Sequence, residues 1–284
     1  MATLLKGFPA AKALTQKLLP RVAALTEKGI VPTLAILRVG EKEDDISYEK
    51  GAVKRCGQVG ITVRQIALSQ TVSQEKVLET VRSLNQDPAV HGVLILRPLP
   101  RQIDDRTVCE ALAPEKDVDG ITSISMAGVF TGSGEGYPPC TPQGCMELLE
   151  HYGIDVTGKK AVVLGRSLVV GKPAAMMLLQ KNATVTICHT RTRELPAVCR
   201  EADILIAAAG QPKMVTAEFL RPGQILLDVG IHVLEDDSMC GDIDFAAAEP
   251  LAEAITPVPG GTGAVTTAVL AKHVVEAAEK AAQL

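Results

Sequence analysis

The chain has 284 residues, 46% of them hydrophobic, and a formal net charge of −4. A chain of this length usually forms more than one domain, and its apolar content is ample for two cores. The mild acidity argues against a basic surface for nucleic acid. The absence of Trp, with only three Tyr and four Phe, argues against aromatic side chains that stack on the bases of single-stranded nucleic acid.

The sequence also favours a cytoplasmic protein without membrane contact. No apolar run approaches the roughly 20 residues of a membrane span, and residues 1–7 lack the apolar core of a signal peptide. The seven cysteines are scattered, odd in number and without C-x-x-C spacing: Cys56, Cys109, Cys140, Cys145, Cys188, Cys199 and Cys240. We therefore expect reduced thiols and no metal site, with Cys188 acting as a small buried apolar residue.

Helical and strand patterns alternate through the first half of the chain. Apolar spacing predicts helices over 8–28, 45–59 and 73–85, the last capped by Ser73, and strands over 33–39, 61–66 and 92–96. This alternation predicts a parallel sheet under helices.

The segment 123–142 is rich in Gly, Ser, Thr and Pro, and we expect it to be the crossing between two domains. The predicted N-terminal domain covers 1–140 and the second domain 141–264. A last helical pattern, over 265–284, is expected to pack back on the first domain.

The second half contains a strand, a glycine turn and a helix start between Lys159 and Gln180. Further buried strands are predicted over 184–188, 203–208 and 224–230, which together indicate a doubly wound sheet. At such a turn, the helix N-terminus presents unpaired N–H groups to a phosphate. Gly165 and Gly171 do not complete the G-x-G-x-x-G pattern, so an ordinary strand-to-helix turn is the alternative.

The end of the predicted strand 184–188 indicates which dinucleotide is bound. An acid is expected there for NAD, but the chain continues with His189, Thr190 and Arg191. Hydroxyl and guanidinium groups suit an additional ribose phosphate, so NADP is favoured over NAD.

Several motifs recur in an order and spacing that resemble a known family. They are Tyr48 after Val39-Gly40, Pro98-Leu99-Pro100, Lys116-Asp117-Val118-Asp119-Gly120, Pro139-Cys140-Thr141-Pro142, the turn from Gly165 to Pro173, Asp228-Val229-Gly230-Ile231, Gly241-Asp242 and Pro257-Val258-Pro259-Gly260-Gly261. Over nearly its whole length the chain is similar to the bifunctional methylenetetrahydrofolate dehydrogenase/methenyltetrahydrofolate cyclohydrolases. The resemblance implies two α/β domains with a cleft between them, a tetrahydrofolate derivative in the first, NADP in the second, and a homodimer.

The resemblance also implies site residues. Those for NADP are Gly165, Arg166, Ser167, Val170, Gly171, Thr190, Arg191, Ile231 and Thr266. Those for the folate are Tyr48, Leu96, Asp119, Pro259, Gly260 and Gly261, with Tyr48 and Asp119 as the catalytic pair. The alternatives are purely structural roles: a tyrosine on a helix face, an aspartate that only caps a turn, and an ordinary loop at 259–261. Lys116 and Asp117 are expected to be a solvated pair, and His91, His151, His232 and His273 to be structural or exposed.

The chain departs from the family at positions that bear on its chemistry. The family's lysine four residues after the tyrosine is Ala52 here, its glutamine is Leu96 beside Arg97, and its Gly-Gly-Val-Gly-Pro-Met-Thr is Gly260-Gly261-Thr262-Gly263-Ala264-Val265-Thr266. At roughly 100° per residue, Lys50 and Lys54 lie about 200° round the helix from Tyr48 and Ala52 respectively. Arg55 returns to that face, but a guanidinium is no base near neutral pH.

We therefore predict an NADP-dependent methylenetetrahydrofolate dehydrogenase whose cyclohydrolase activity is weak or lost. A fully bifunctional enzyme, with water or Arg55 and Arg97 in place of the missing groups, is one alternative. A folate-binding protein without turnover is the other.

Overall fold

The computed structural model describes residues 2–283, which form two compact units. Unit I contains residues 2–11 and 141–266, and unit II contains residues 12–140 and 267–283. The strands are β1 (Thr3–Leu4), β2 (Thr33–Val39), β3 (Thr62–Leu68), β4 (Gly92–Ile95), β5 (Lys160–Leu164), β6 (Thr184–Cys188), β7 (Ile204–Ala207), β8 (Gln224–Asp228), β9 (His232–Val233), β10 (Met239–Cys240) and β11 (Ala252–Ile255). The α-helices are α1 (Gly7–Glu27), α2 (Glu43–Val59), α3 (Gln74–Gln86), α4 (Asp105–Glu110), α5 (Ser123–Thr131), α6 (Cys140–His151), α7 (Gly171–Gln180), α8 (Leu195–Arg200), α9 (Phe245–Ala248) and α10 (Gly263–Ala281).

Unit II is built on a parallel sheet with the order β3-β2-β4. The central strand β2 is almost continuously apolar and buried, as expected for a parallel strand covered on both faces. Its neighbours β3 and β4 lie on opposite sides of it, so the chain reverses direction across the sheet between β2 and β4. Ligands of open parallel sheets bind beyond the carboxyl ends of the strands at such a point.

Both ends of α3 are fixed by side chains. Ser73 Oγ accepts the Lys76 N–H at 3.3 Å, which confirms the predicted cap. Lys116 Nζ donates to the carbonyl oxygens of Leu84 at 2.8 Å and Asp87 at 2.7 Å. The interpretation of Lys116 and Asp117 as a solvated pair was therefore wrong, because this lysine satisfies carbonyls at the helix C-terminus.

Unit I contains a six-stranded, fully parallel sheet with the order β1-β11-β8-β7-β5-β6. This confirms the predicted α/β class and the Rossmann-type sheet of the second half. The strand predicted over 184–188 is β6, with the same bounds. Strands β6 and β7 flank β5 on opposite sides, so the reversal point lies between β5 and β7.

Two segments differ from the sequence interpretation. Residues 2–11 belong to unit I because β1 pairs with β11 through Thr3 with Ala254 and Leu4 with Ile255; a two-residue strand leaves no periodic pattern to detect. The expected crossing over 123–142 contains a helix, α5. Thr122 caps it by accepting the Ser125 N–H at 3.1 Å, and Gly132 ends it with a left-handed φ of 72°.

Every helix within residues 2–283 is too short or too polar to cross a lipid bilayer. Over the same residues, no group of three or more His, Cys, Asp and Glu side chains is arranged to hold a metal ion. All seven cysteines are buried, and none forms a disulfide.

Candidate functional site

In unit I, a glycine turn lies at the reversal point of the sheet. Gly165 follows β5 with a φ of 134°, and its N–H donates to the Cys188 carbonyl at 2.9 Å. A Cβ atom on Gly165 would collide with the Ala208 carbonyl, which follows β7. Only glycine fits this conformation and this close approach to the Ala208 carbonyl, and the turn lies where a dinucleotide is expected to meet the sheet.

The N-terminus of α7 differs from the prediction of unpaired N–H groups. Ser167 Oγ accepts the N–H groups of Val170 at 3.1 Å and Gly171 at 3.4 Å, and the Ser167 carbonyl accepts that of Lys172 at 3.0 Å. The prediction was wrong for these three amides because Ser167 satisfies them within the turn. Its hydroxyl proton remains available to a ligand, and Arg166 is exposed beside it.

The turn after β6 presents polar groups at the next position along the sheet edge. His189 donates its N–H to Thr192 Oγ1 at 2.9 Å, and the Arg191 N–H donates to His189 Nδ1 at 3.1 Å. These bonds close the turn and leave the Thr190 and Arg191 side chains exposed. The edge beyond β5 and β6 is thus cationic.

The remaining predicted residues of unit I lie after β8 and β11. Ile231 is 56% exposed, and a Cβ on Gly263 would lie 3.2 Å from its Cδ1. Pro259 and Gly260 are exposed whereas Gly261 is buried, and the Gly260 carbonyl accepts the Gly7 N–H at 2.8 Å. Thr266 is buried, and its hydroxyl donates to the Thr262 carbonyl at 3.5 Å.

In unit II, the Tyr48 face of α2 contains no lysine. Ala52, four residues on, is fully buried. Lys50 and Lys54 are both exposed, as the helix geometry predicts. An ion pair that the sequence did not predict anchors this helix. The buried Glu49 carboxylate accepts hydrogen bonds from Arg38 Nε at 2.8 Å and from Gln65 Nε2 at 2.9 Å.

The Asp119 carboxylate lies close enough to Tyr48 for its charge to affect the phenol. Burial raises the pKa of Asp119 to about 6, while the neighbouring Cys140 thiol and backbone N–H act in the opposite direction. Burial, and then the Asp119 charge, raises the pKa of Tyr48 well above its ordinary value. At neutral pH, this places a phenolic O–H donor near a carboxylate acceptor.

Asp117 shapes the turn that carries Asp119. It is fully buried and accepts the N–H groups of Ile121 at 2.9 Å and Thr122 at 2.8 Å. The sequence reading overlooked this role because an aspartate beside a lysine is also the pattern of an exposed ion pair.

His273 of α10 supports the same turn. Its Nδ1–H donates to the Val118 carbonyl at 2.9 Å, and the Cys140 thiol donates to that oxygen at 3.3 Å. Nδ1 also lies 3.8 Å from Cys140 Sγ. His273 is therefore a buried structural residue, one of the two roles expected for it, and its contacts span residues far apart in sequence.

The two arginines considered as substitutes for the missing lysine are engaged elsewhere. Arg55 donates to Thr15 Oγ1 at 3.1 Å and Gln58 Oε1 at 3.0 Å. Arg97 forms an ion pair with Asp105 at 2.6 Å. Leu96 is buried, and its N–H bonds to the Leu37 carbonyl at 2.9 Å.

Together, these features define an α/β protein with a Rossmann-type unit and a second parallel-sheet unit. The family model for the catalytic domain of tetrahydrofolate dehydrogenase/cyclohydrolase matches residues 5–119, and the model for its NAD(P)-binding domain matches residues 139–282. The chain therefore belongs to the tetrahydrofolate dehydrogenase/cyclohydrolase family of enzymes, which confirms the resemblance seen in its motifs.

Individual relatives agree with this assignment over their full length. The chain is 49% identical to the bifunctional protein FolD of Alkaliphilus oremlandii, covering 98% of this chain and 97% of that one. The crystal structure of the bifunctional enzyme FolD from Campylobacter jejuni has a TM-score of 0.96 and 38% identity, with 99% of both chains covered. The Trypanosoma brucei dehydrogenase-cyclohydrolase, complexed with NADP and an inhibitor, has a TM-score of 0.94 and 32% identity, with 100% of this chain and 99% of that one covered.

Proposed function

We propose that this chain oxidises 5,10-methylenetetrahydrofolate to 5,10-methenyltetrahydrofolate with NADP, and that its cyclohydrolase activity is weak or lost. The observation that supports the dehydrogenase is the glycine turn at the reversal point of the unit I sheet, where a Cβ on Gly165 would collide with the Ala208 carbonyl. The Trypanosoma brucei relative was solved with NADP.

The unit I edge fits NADP better than NAD. Arg166, Ser167, Thr190 and Arg191 offer guanidinium and hydroxyl donors, and an acid does not directly follow β6. These donors would hold the ribose phosphate by charge-assisted bonds, with Gly165, Val170 and Gly171 along the dinucleotide. Ile231 and Thr266 would contact the nicotinamide, which accepts the hydride when the cofactor is bound.

The residues assigned to the folate are Tyr48, Leu96, Asp119, Pro259, Gly260 and Gly261. The Asp119 carboxylate would accept from the amino and ring N–H groups of the pterin, while Tyr48 stacks on the ligand or donates to it. Glycines at 260 and 261 let the backbone approach a ligand closely.

The two half-reactions make different demands on these residues. Hydride transfer from the methylene bridge releases no proton, so it chiefly needs aligned reactants and excluded water. Hydrolysis of the methenyl cation needs water to lose a proton and a ring nitrogen to gain one. The buried side chains of Ala52 and Leu96 can neither remove a proton from water nor protonate the ring nitrogen. A pocket without a lysine also repels the cationic methenyl product less.

A fully bifunctional enzyme remains the second candidate because the Alkaliphilus oremlandii and Campylobacter jejuni relatives are named as bifunctional. An assay of both half-reactions with NADP and NAD, on one purified preparation, separates the candidates. Comparable rates for both reactions would contradict the loss of hydrolysis. Folate binding without any turnover would contradict the dehydrogenase.

Replacing Asp119 with alanine should weaken folate binding by about 5- to 150-fold, because it leaves the pterin donors unpaired at a cost of roughly 1–3 kcal/mol. NADP affinity should not change. Calorimetry with each ligand measures both, and Glu115→Ala, at an exposed acid on the same segment, is the matched control. Unchanged folate affinity in Asp119→Ala would reassign this residue to the turn.

Folate affinity should also fall as the pH is lowered through about 6, the value to which burial raises the pKa of Asp119. Above this pH the free protein presents a carboxylate to the pterin donors, and below it a protonated acid with fewer acceptor sites, so folate affinity falls with falling pH. Affinity measured from pH 8 to 5 should therefore decline only in the acidic half. Asp119→Asn should flatten the decline; the same slope in that variant would assign it to another group.

A further inference from the structure

Two buried aspartates of unit I have no part in the proposed chemistry. Asp228 ends β8 and is 3% exposed, and Asp242 is fully buried. Within residues 2–283, neither carboxylate forms an ion pair with a lysine or arginine, and their oxygens are satisfied mainly by backbone N–H groups. Such extensive bonding makes each carboxylate a fixed point for the loops that donate to it.

Asp242 holds the loop that follows β7. Its Oδ2 accepts the N–H groups of Ala209 at 2.6 Å and Gly210 at 3.0 Å, and its Oδ1 accepts that of Gln211 at 3.0 Å. Three consecutive amides thus converge on one carboxylate. The fourth donor is His232 Nε2, 2.8 Å from Oδ1, so this histidine is paired with an acid that lies ten residues away.

Asp228 holds Asp242 in turn. Its Oδ1 accepts the N–H groups of Asp242 at 2.9 Å and Gly230 at 3.0 Å, and its Oδ2 accepts that of Ile243 at 2.8 Å. A Cβ on Gly241 would collide with the Asp228 carboxylate, which accounts for the glycine before Asp242. The two acids therefore form one rigid assembly.

The loop held by Asp242 touches the glycine turn. The Ala208 N–H donates to the Leu164 carbonyl at 2.8 Å, and the Ala208 carbonyl is the group that excludes a Cβ from Gly165. A continuous series of contacts runs from Asp242 through the 208–211 loop to the turn assigned to NADP.

We propose that Asp242 is a positioning residue for the dinucleotide: its carboxylate, fixed by Asp228 and His232, holds the 208–211 loop in the shape against which the Gly165 turn packs. The inference rests on the proposed use of NADP. Asp242 itself touches no reacting atom, and its effect is to prepare the site before the cofactor arrives.

The test compares Asp242→Asn with Asp203→Asn. The asparagine turns one carboxylate oxygen into an NH₂ group facing N–H donors, so the loop loses at least one set of its bonds. Asp203 is the matched control because it also accepts a backbone N–H, from Lys160 at 2.9 Å, and pairs with Arg221 at 2.8 Å. Asp203 lies at the amino ends of β5 and β7, whereas the Gly165 turn and the 208–211 loop lie at the carboxyl ends of the same strands.

For Asp242→Asn we expect the KM and Kd for NADP to rise about tenfold or more, with kcat and the folate KM within about threefold of the unmodified protein. Amide exchange at 208–211 should accelerate in the same variant without ligand. Asp203→Asn should lower thermal stability yet leave the NADP constants within about twofold. Equal NADP constants in the two variants, or unaltered exchange at 208–211, would overturn the inference.

His232 provides a second pair of variants if Asp242→Asn does not fold. His232→Leu removes the donor and should raise the NADP Kd about threefold or more, whereas His232→Gln retains a donor and should restore it. Equal Kd values in this pair would count against the inference. Failure of the unmodified protein to bind NADP would overturn the proposed function and this inference together, whereas tight NADP binding that is insensitive to both Asp242→Asn and His232→Leu would overturn the inference alone.

Discussion

Hydrolysis of methenyltetrahydrofolate by the unmodified chain is expected to barely exceed the uncatalysed rate while hydride transfer proceeds. Losing general acid–base assistance lowers such a reaction by about 10²- to 10⁴-fold. The structural basis is the buried Ala52 on the Tyr48 face of α2, with Lys50 and Lys54 exposed. Following both half-reactions on one preparation measures the ratio directly.

The double variant Ala52→Lys with Leu96→Gln should recover part of the hydrolysis. Both substitutions are needed because a lysine buried near a cation without a polar partner is poorly solvated. Ala52→Met with Leu96→Gln is the matched control, since methionine approximates the length of lysine without its charge. Brisk hydrolysis by the unmodified protein, comparable with its dehydrogenase rate, would show that another group transfers the protons.

Replacing Arg166 with alanine should raise the KM for NADP by about 10- to 100-fold, because a charge-assisted hydrogen bond to the ribose phosphate contributes about 1.5–3 kcal/mol. The KM for NAD should change far less, since NAD lacks that phosphate. Initial rates with both cofactors give the comparison.

Lys181→Ala is the control for the Arg166 variant. Lys181 is an exposed cation at the opposite end of α7, so its removal changes the net charge equally without touching the glycine turn. An equal effect of Arg166→Ala on both cofactors, or a preference of the unmodified protein for NAD, would contradict the assignment of Arg166 to the phosphate.

The sheets were predictable from the sequence because parallel strands buried on both faces leave uninterrupted apolar runs. Strands β2 and β6 have the predicted bounds. Helix α5 was not predictable in the same way, because Ser, Gly and Thr suggest a loop, and only its cap at Thr122 and its end at Gly132 establish it. The two-residue strand β1 was equally invisible.

Less of the candidate site could be predicted. Motifs identified Tyr48, Asp119 and the glycine turn, but not the contacts that hold them. The thiol of Cys140 bonds to the Val118 carbonyl, 22 positions away, and His273 reaches the same oxygen from 155 positions away. No local pattern encodes such contacts. The capping role of Ser167 was missed for the opposite reason, since a glycine-rich turn suggested free amides where a hydroxyl already binds them.

The interleaving of the two units affects how the chain folds while it is being synthesised. Strands β2–β4 emerge from the ribosome early, but residues 267–283 of the same unit emerge after all of residues 141–266. At a translation rate of 5–20 residues per second, synthesis of residues 141–266 takes roughly ten seconds. The apolar surface that packs against α10 stays uncovered during this time. During that interval Val118, which later contacts His273, lacks its helix. A nascent chain with this order of segments exposes apolar surface to which chaperones bind. A fragment that stops before α10 should be degraded by proteases faster than the full chain.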